Sequence, residues 1–221
     1  MELWALTVAS PRGAAEFGVR AEQAGWHGML VVDSQNLSGD SYVALAVAAT
    51  RTTALGLGTG VTNSVTRHPA VTAAAITSVQ KLSGGRACLG IGRGDSALAH
   101  LGRAPARIGP FEHYVATLQA YLSGQAVPFE DCAIDDRIAP PVASLELADT
   151  PEASRLGWLG GDAKVPVEVA ATSRRSGRRA PCRTHHVHGR GSSDCSGASR
   201  LRAPPPAPTA GIRTVCVSAP T

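Results

Sequence analysis

Four times in the first 124 residues a short apolar run gives way to a stretch of helical period, and a fifth apolar run follows at 165–172. The runs are ELWALTVA (2–9), WHGMLVVD (26–33), ALGLGTGV (54–61), RACLGIG (86–92) and VPVEVAAT (165–172). The second is apolar throughout, as suits a parallel sheet. Ser10 and Pro11 supply an N-cap and a first-turn proline for one helix, which Gly25 stops. Asp40 and Ser41 cap a second over 42–52, Pro69 opens a third that ends at Gly84 and Gly85, and a fourth spans 111–124. Residues 125–163, with prolines at 128, 140, 141 and 151, are expected to be irregular. Strand alternating with helix dictates parallel βαβ units, in either a (β/α)8 barrel or an open doubly wound sheet. A barrel takes about 250 residues, and five strands here occupy the first 172. The expected fold class is therefore α/β, an incomplete (β/α)8 TIM barrel of about strands 1–5.

At Thr172 the chain changes character. Residues 1–172 carry 12 basic and 16 acidic side chains, a net of −4. Residues 173–221 carry nine arginines, no lysine and the single acid Asp194, a net of +8. All nine Phe, Tyr and Trp lie before residue 173. The last 49 residues hold too little apolar surface to offset their ordering entropy, so a disordered tail is expected. Arg, Pro, Ala, Gly, Ser, Cys and His are what a GC-rich gene yields in a wrong frame. The domain reading is thus a partial barrel over 1–172, truncated by a frameshift, and an out-of-frame tail over 173–221.

A competing class is a protein that offers the arginines of 174–183 to nucleic acid as a basic arm. The tail has no aromatic side chain to stack on bases, and specific nucleic-acid binding is not expected. Cys182, His185, His186, His188 and Cys195 match no standard zinc spacing, and no metal is expected. No basic segment precedes an apolar run at the N-terminus, and no stretch approaches eighteen apolar residues. That pattern predicts a cytoplasmic protein without a membrane segment.

Chemistry is expected at the carboxyl ends of strands three and four, where loops of parallel α/β folds gather polar groups. GLGTGVTNSVTRHP (56–69) and LGIGRGDSALAHLG (89–102) both place glycines there, which let backbone N–H groups approach a phosphate or a flat ring. Neither stretch is a dinucleotide fingerprint or a P-loop. Asp33 ends strand two and faces the same mouth. His68, just before Pro69, reads as a helix-start residue, and Cys88 as a small core residue.

Taken together, the blocks TGVTN…TRHP and SGGRA…GIGRGDSA resemble the luciferase-like monooxygenase superfamily. Within it they are most similar to the deazaflavin-dependent branch that includes methylenetetrahydromethanopterin reductases. The similarity covers roughly residues 2–172. It implies a (β/α)8 barrel that binds coenzyme F420, or FMN in sister branches, and transfers a hydride to or from a small organic substrate. It further implies a cis peptide at Gly60–Val61 behind the cofactor ring, with Thr62 and Asn63 next to it in the ring pocket. Arg93, Gly94 and Asp95 then lie where the strand-four loop meets cofactor, and Asp33 is the catalytic candidate near the ring. The family's phosphate-binding helix follows strand five, where this chain departs from the pattern. Intact members are often homodimers.

Overall fold

The computed structural model describes residues 2–132 and 165–169. The remainder of the expected irregular segment, positions 170–172 of the fifth run, and the whole tail with its cysteines, histidines and basic arm lie outside the described residues.

Five strands form one parallel sheet in the order β1 (Trp4–Thr7), β2 (Gly28–Val31), β3 (Gly56–Asn63), β4 (Ala87–Gly92) and β5 (Val167–Val169). Each strand pairs with the next in sequence, every pair is parallel, and the order never reverses among the described strands. A doubly wound sheet reverses at a switch point and carries helices on both faces. Here α1 (Pro11–Gln23), α2 (Ser41–Ala49), α3 (Pro69–Leu82) and α5 (Ile108–Leu122) lie side by side in chain order, as in the wall of a barrel. The short α4 (Asp95–Ala99) and a 3-10 turn (Phe129–Cys132) complete the described elements.

Alternation along the strands separates two faces. Met29, Val31, Leu57, Leu89 and Ile91 turn toward the helices and pack with Ala44, Leu45, Ala48, Ile76 and Leu118 in one buried core. The inner face carries Trp4, Leu6 and Leu30 across a stripe of glycines. A Cβ on Gly28 would strike the Trp4 ring, and one on Gly60 would come within 2.6 Å of Leu30 Cβ and 3.0 Å of Leu6 Cδ1. The glycines are there because the large side chains of β1 and β2 lie flat over them.

The helix boundaries follow local chemistry. Gly25 ends α1 at φ 77°, and Gly84 and Gly85 end α3 at 65° and 97°, the left-handed region that glycine adopts without cost. Asp40 caps α2 by accepting from Tyr42 N at 2.8 Å and Val43 N at 3.0 Å. His68 caps α3, its Nδ1 accepting from Ala70 N at 3.2 Å, as its reading as a helix-start residue anticipates. Ser10 stands at the N-cap of α1 without a side-chain cap bond. Helix α5 begins at Ile108, three residues before the expected start, because Pro110 in the first turn gives up only an N–H that has no helical partner.

The amino ends of the strands are clipped by two side chains. Arg86 donates from Nη1 to Leu55 O at 2.6 Å, from Nη2 to Thr52 O at 2.9 Å and from Nε to Ser83 O at 2.7 Å. The Glu22 carboxylate accepts from Thr53 N at 2.9 Å, Ala54 N at 2.6 Å and Leu55 N at 2.8 Å. Burial opposes its ionisation, yet these backbone donors outweigh that cost and hold its pKa below the ordinary value. With one end of the sheet fixed in this way, the carboxyl ends are free to carry function.

Candidate functional site

The end of β2 and the loop after β3 meet in one hydrogen-bonded cluster. Asp33, two residues beyond β2, is 2% exposed. Its Oδ2 accepts from Thr62 Oγ1 at 2.6 Å and from Arg67 Nη1 at 2.5 Å. Its Oδ1 accepts from Gln35 Nε2 at 3.0 Å and, more distantly, from Arg67 Nη2 at 3.4 Å. The same Nη2 donates to Asp40 Oδ2 at 2.7 Å, so Asp40 caps α2 with one oxygen and holds Arg67 with the other. The guanidinium also stands 5.0 Å from the centre of the Tyr42 ring, within cation–π range. Tyr114 on α5 donates to the Arg67 carbonyl at 3.0 Å.

Charge follows from that geometry. Burial works against the Arg67 cation, but the hydrogen bonds and charges of Asp33 and Asp40 outweigh it and raise its pKa. Burial likewise opposes the Asp40 anion, and the Val43 N–H and Arg67 reverse the balance, so its pKa falls. The Tyr42 and Tyr114 phenols are pushed up by burial and stay neutral.

Strand β3 carries the irregularity that shapes the mouth. The Gly60–Val61 peptide is cis, and the pairing with β4 shifts register between Thr59 and Thr62. Val61 is 39% exposed, whereas Thr62 and Asn63 are sealed at 0% and 1%. The polar atoms of Asn63 are spent locally. Its Oδ1 accepts from Val65 N and Thr66 N, both at 3.0 Å, and its Nδ2 donates to Gln35 Oε1 at 3.4 Å. The Asn63 amide beside Val61 is therefore fully engaged.

Beyond β4, Gly94 takes φ 86°, and a Cβ there would lie 2.9 Å from Asn63 Cβ and 2.7 Å from Leu98 Cγ. Glycine is required both by the backbone and by this close packing of the β3 and β4 ends. The Nε of Arg93 is buried without a hydrogen-bond partner among the described residues. Cys88 lies on the inner face, as its contact with Gly58 shows, and burial together with the charges of Glu168 and Glu2 pushes its thiol up to about 12. No group of three or more His, Cys, Asp or Glu among the described residues is placed to hold a metal ion. No helix among them is long and apolar enough to cross a membrane.

The structure thus brings Asp33, Thr62 and Asn63 into one cluster, with Gly60 and Val61 at the adjoining bulge and Gly94 packed on Asn63. Asp95 is exposed in the first turn of α4. Thr62 and Asn63 belong to β3 itself, paired with Ile91 and Gly92, and not to the loop beyond it. Sequence reasoning gave Arg67, Gln35 and Tyr42 no role in the site and read Asp40 only as a helix cap. Their positions at successive strand ends were the available signal, but nothing local shows that Arg67 reaches carboxylates 27 and 34 residues upstream.

Comparison with known proteins identifies the family and the fold. The model of the luciferase-like monooxygenase family matches residues 3–187. A 5,10-methylenetetrahydromethanopterin reductase of Methanolobus tindarius is 45% identical over 83 residues, 38% of this chain and 25% of that protein. An F420-dependent glucose-6-phosphate dehydrogenase of Beutenbergia cavernae is 32% identical over 177 residues, 69% of this chain and 52% of that protein. The solved coenzyme F420-dependent tetrahydromethanopterin reductase from Methanopyrus kandleri superposes with a TM-score of 0.59 at 23% identity, over 77% of this chain and 50% of that one. The oxygenating constituent of 3,6-diketocamphane monooxygenase from Pseudomonas putida, solved with FMN, gives 0.53 at 17% identity, over 76% and 51%. At those identities the structural likeness establishes the fold, here the expected TIM-barrel type. The chain spans about half the length, or less, of these relatives. With its family model matched over most of its length, the chain belongs to the luciferase-like monooxygenase family.

Proposed function

We propose that the carboxyl ends of β2, β3 and β4 bind a deazaflavin, coenzyme F420, for hydride transfer to or from a small organic substrate. The observation that carries this reading is Val61. It is an exposed apolar side chain at a strand end whose neighbours Thr62 and Asn63 are sealed. A flat ring seats against such a surface without stripping water from any unpaired polar group. The residues fit the cofactor in a second respect, because the buried Nε of Arg93, without a partner among the described residues, offers a donor at the neighbouring strand end. When bound, the deazaflavin supplies the hydride chemistry, and the protein contributes binding, orientation and exclusion of water. Val61 and Gly60 back the ring, Arg93 and Gly94 meet its polar edge, and Leu6 and Leu30 keep the inner face dry.

The relatives named for F420 or for methylenetetrahydromethanopterin support the deazaflavin over FMN. FMN is the second reading, favoured by the shared fold with an FMN-bound monooxygenase. Parallel equilibrium titrations with the two cofactors, followed by fluorescence, separate them. Saturable binding of F420 with weaker binding of FMN supports the proposal, and the reverse order overturns it. We further propose that the change of composition at Thr172 costs the chain the family's phosphate-binding helix, so that F420 affinity is weak and turnover absent.

A homodimer is proposed as the working assembly. Helix α2 bears no charge from Ser41 to Ala49, yet Val43 and Val47 on its outer side are 52% and 36% exposed. An uncharged face of this kind suits a two-fold contact with its own copy. Sedimentation velocity should give a dimer that Val43→Lys with Val47→Lys converts to monomer without lowering the melting temperature.

A further inference from the structure

We infer that Asp33 and Arg67 are a pair of positioning residues: their ion pair fixes the Thr62 hydroxyl and so holds Val61 against the cofactor, and Asp33 exchanges no proton with the reacting atoms. The inference rests on the proposed cofactor site and departs from the expectation that Asp33 is catalytic.

An ionised carboxylate has about four lone-pair sites. In Asp33 all four are occupied, two on Oδ2 by Thr62 and Arg67 Nη1 and two on Oδ1 by Gln35 and Arg67 Nη2. At 2% exposure, no edge of the group reaches the mouth. A general acid or base must stand within hydrogen-bond reach of the proton it moves, and Asp33 has no free direction in which to do so. The Arg67 fork is equally committed, to Asp33 and Asp40. What the pair controls is the strand. The Thr62 hydroxyl is held at 2.6 Å from Asp33, and Thr62 directly follows Val61 across the register shift of β3. Gln35 extends the hold to Asn63, which folds the loop 63–66. Releasing Asp33 therefore frees both residues behind the exposed Val61.

The test compares the full chain with R67Q, R67K and the charge-balanced D33N/R67Q. Melting temperature, hydrogen exchange across 57–66, and the affinity and absorbance of bound F420 are read together. R67Q should speed exchange across 61–66 and weaken F420 at least tenfold. R67K, which keeps the charge but loses the fork, and D33N/R67Q, which removes both charges, should regain melting temperature but not affinity, with the absorbance of bound cofactor altered. A merely structural ion pair would let D33N/R67Q regain both, and that result overturns the inference. Wild-type affinity and exchange in R67Q overturn it equally. If the unmodified chain binds no deazaflavin, the cofactor reading falls and exchange alone decides: faster exchange in the variants supports the hold on Thr62, and unchanged exchange overturns it. Should R67Q not fold, R67K and D33N/R67Q carry the comparison.

Discussion

The carboxylate of Asp33 and the guanidinium of Arg67, 34 residues apart in sequence, meet at 2.5 Å between the ends of β2 and β3. The side chain of Asp33 is 1% exposed and that of Arg67 16%. Their contact joins two consecutive βα units at the end of the sheet where this family of folds keeps its chemistry.

Breaking that pair from one side leaves a buried charge without its counter-ion. Removing one partner of such a pair costs about 3–5 kcal/mol. Arg67→Gln should lose stability on that scale in urea denaturation, and D33N/R67Q should recover more than half of the loss. Equal stability of R67Q and the unmodified protein would show that the pair contributes nothing net.

Glu22 gives a pH dependence whose sign is fixed. Its folded pKa is lowered, so the stability it contributes is present above the unfolded value and is lost as pH falls through the folded one. Glu22→Gln should be less stable than the unmodified chain at neutral pH, and the difference should close on acidification below the ordinary carboxylate range. Urea melts at a series of pH values check this. A difference that stays constant with pH would remove the carboxylate's charge from the explanation.

Nucleotide sequencing across codon 172 tests the reading of the tail. The change from a net of −4 over residues 1–172 to +8 over 173–221 predicts that another frame encodes further strand–helix alternation there. Frames without it would make the arginine-rich tail a genuine part of the protein.

The strands and helices were legible because periodicity, caps and glycine stops act within a few residues of each other. Asp40 as a cap, His68 as a helix start and Gly25 as a stop all declare themselves locally. The end of β3 was misplaced by two residues because pairing of Thr62 with Ile91 and Asn63 with Gly92 resumes past the bulge, which no periodic pattern reveals. The cis bond at Gly60–Val61 came from the resemblance and not from residue chemistry, and it is present. Helix α4 was not anticipated, since five residues after a left-handed glycine give too short a period to detect. Arg67 stayed silent because its partners are set by the register of β2 against β3, a long-range property.

The seat on Val61 is the central claim, and F420 titration of the full chain beside Val61→Asp tests it most directly. Val61 is 39% exposed, so a carboxylate there should leave the fold and its melting temperature in place. It should weaken F420 at least tenfold by placing an anion against the ring, as followed by cofactor fluorescence. Identical F420 affinity in the two proteins, with saturable binding in both, would contradict the account.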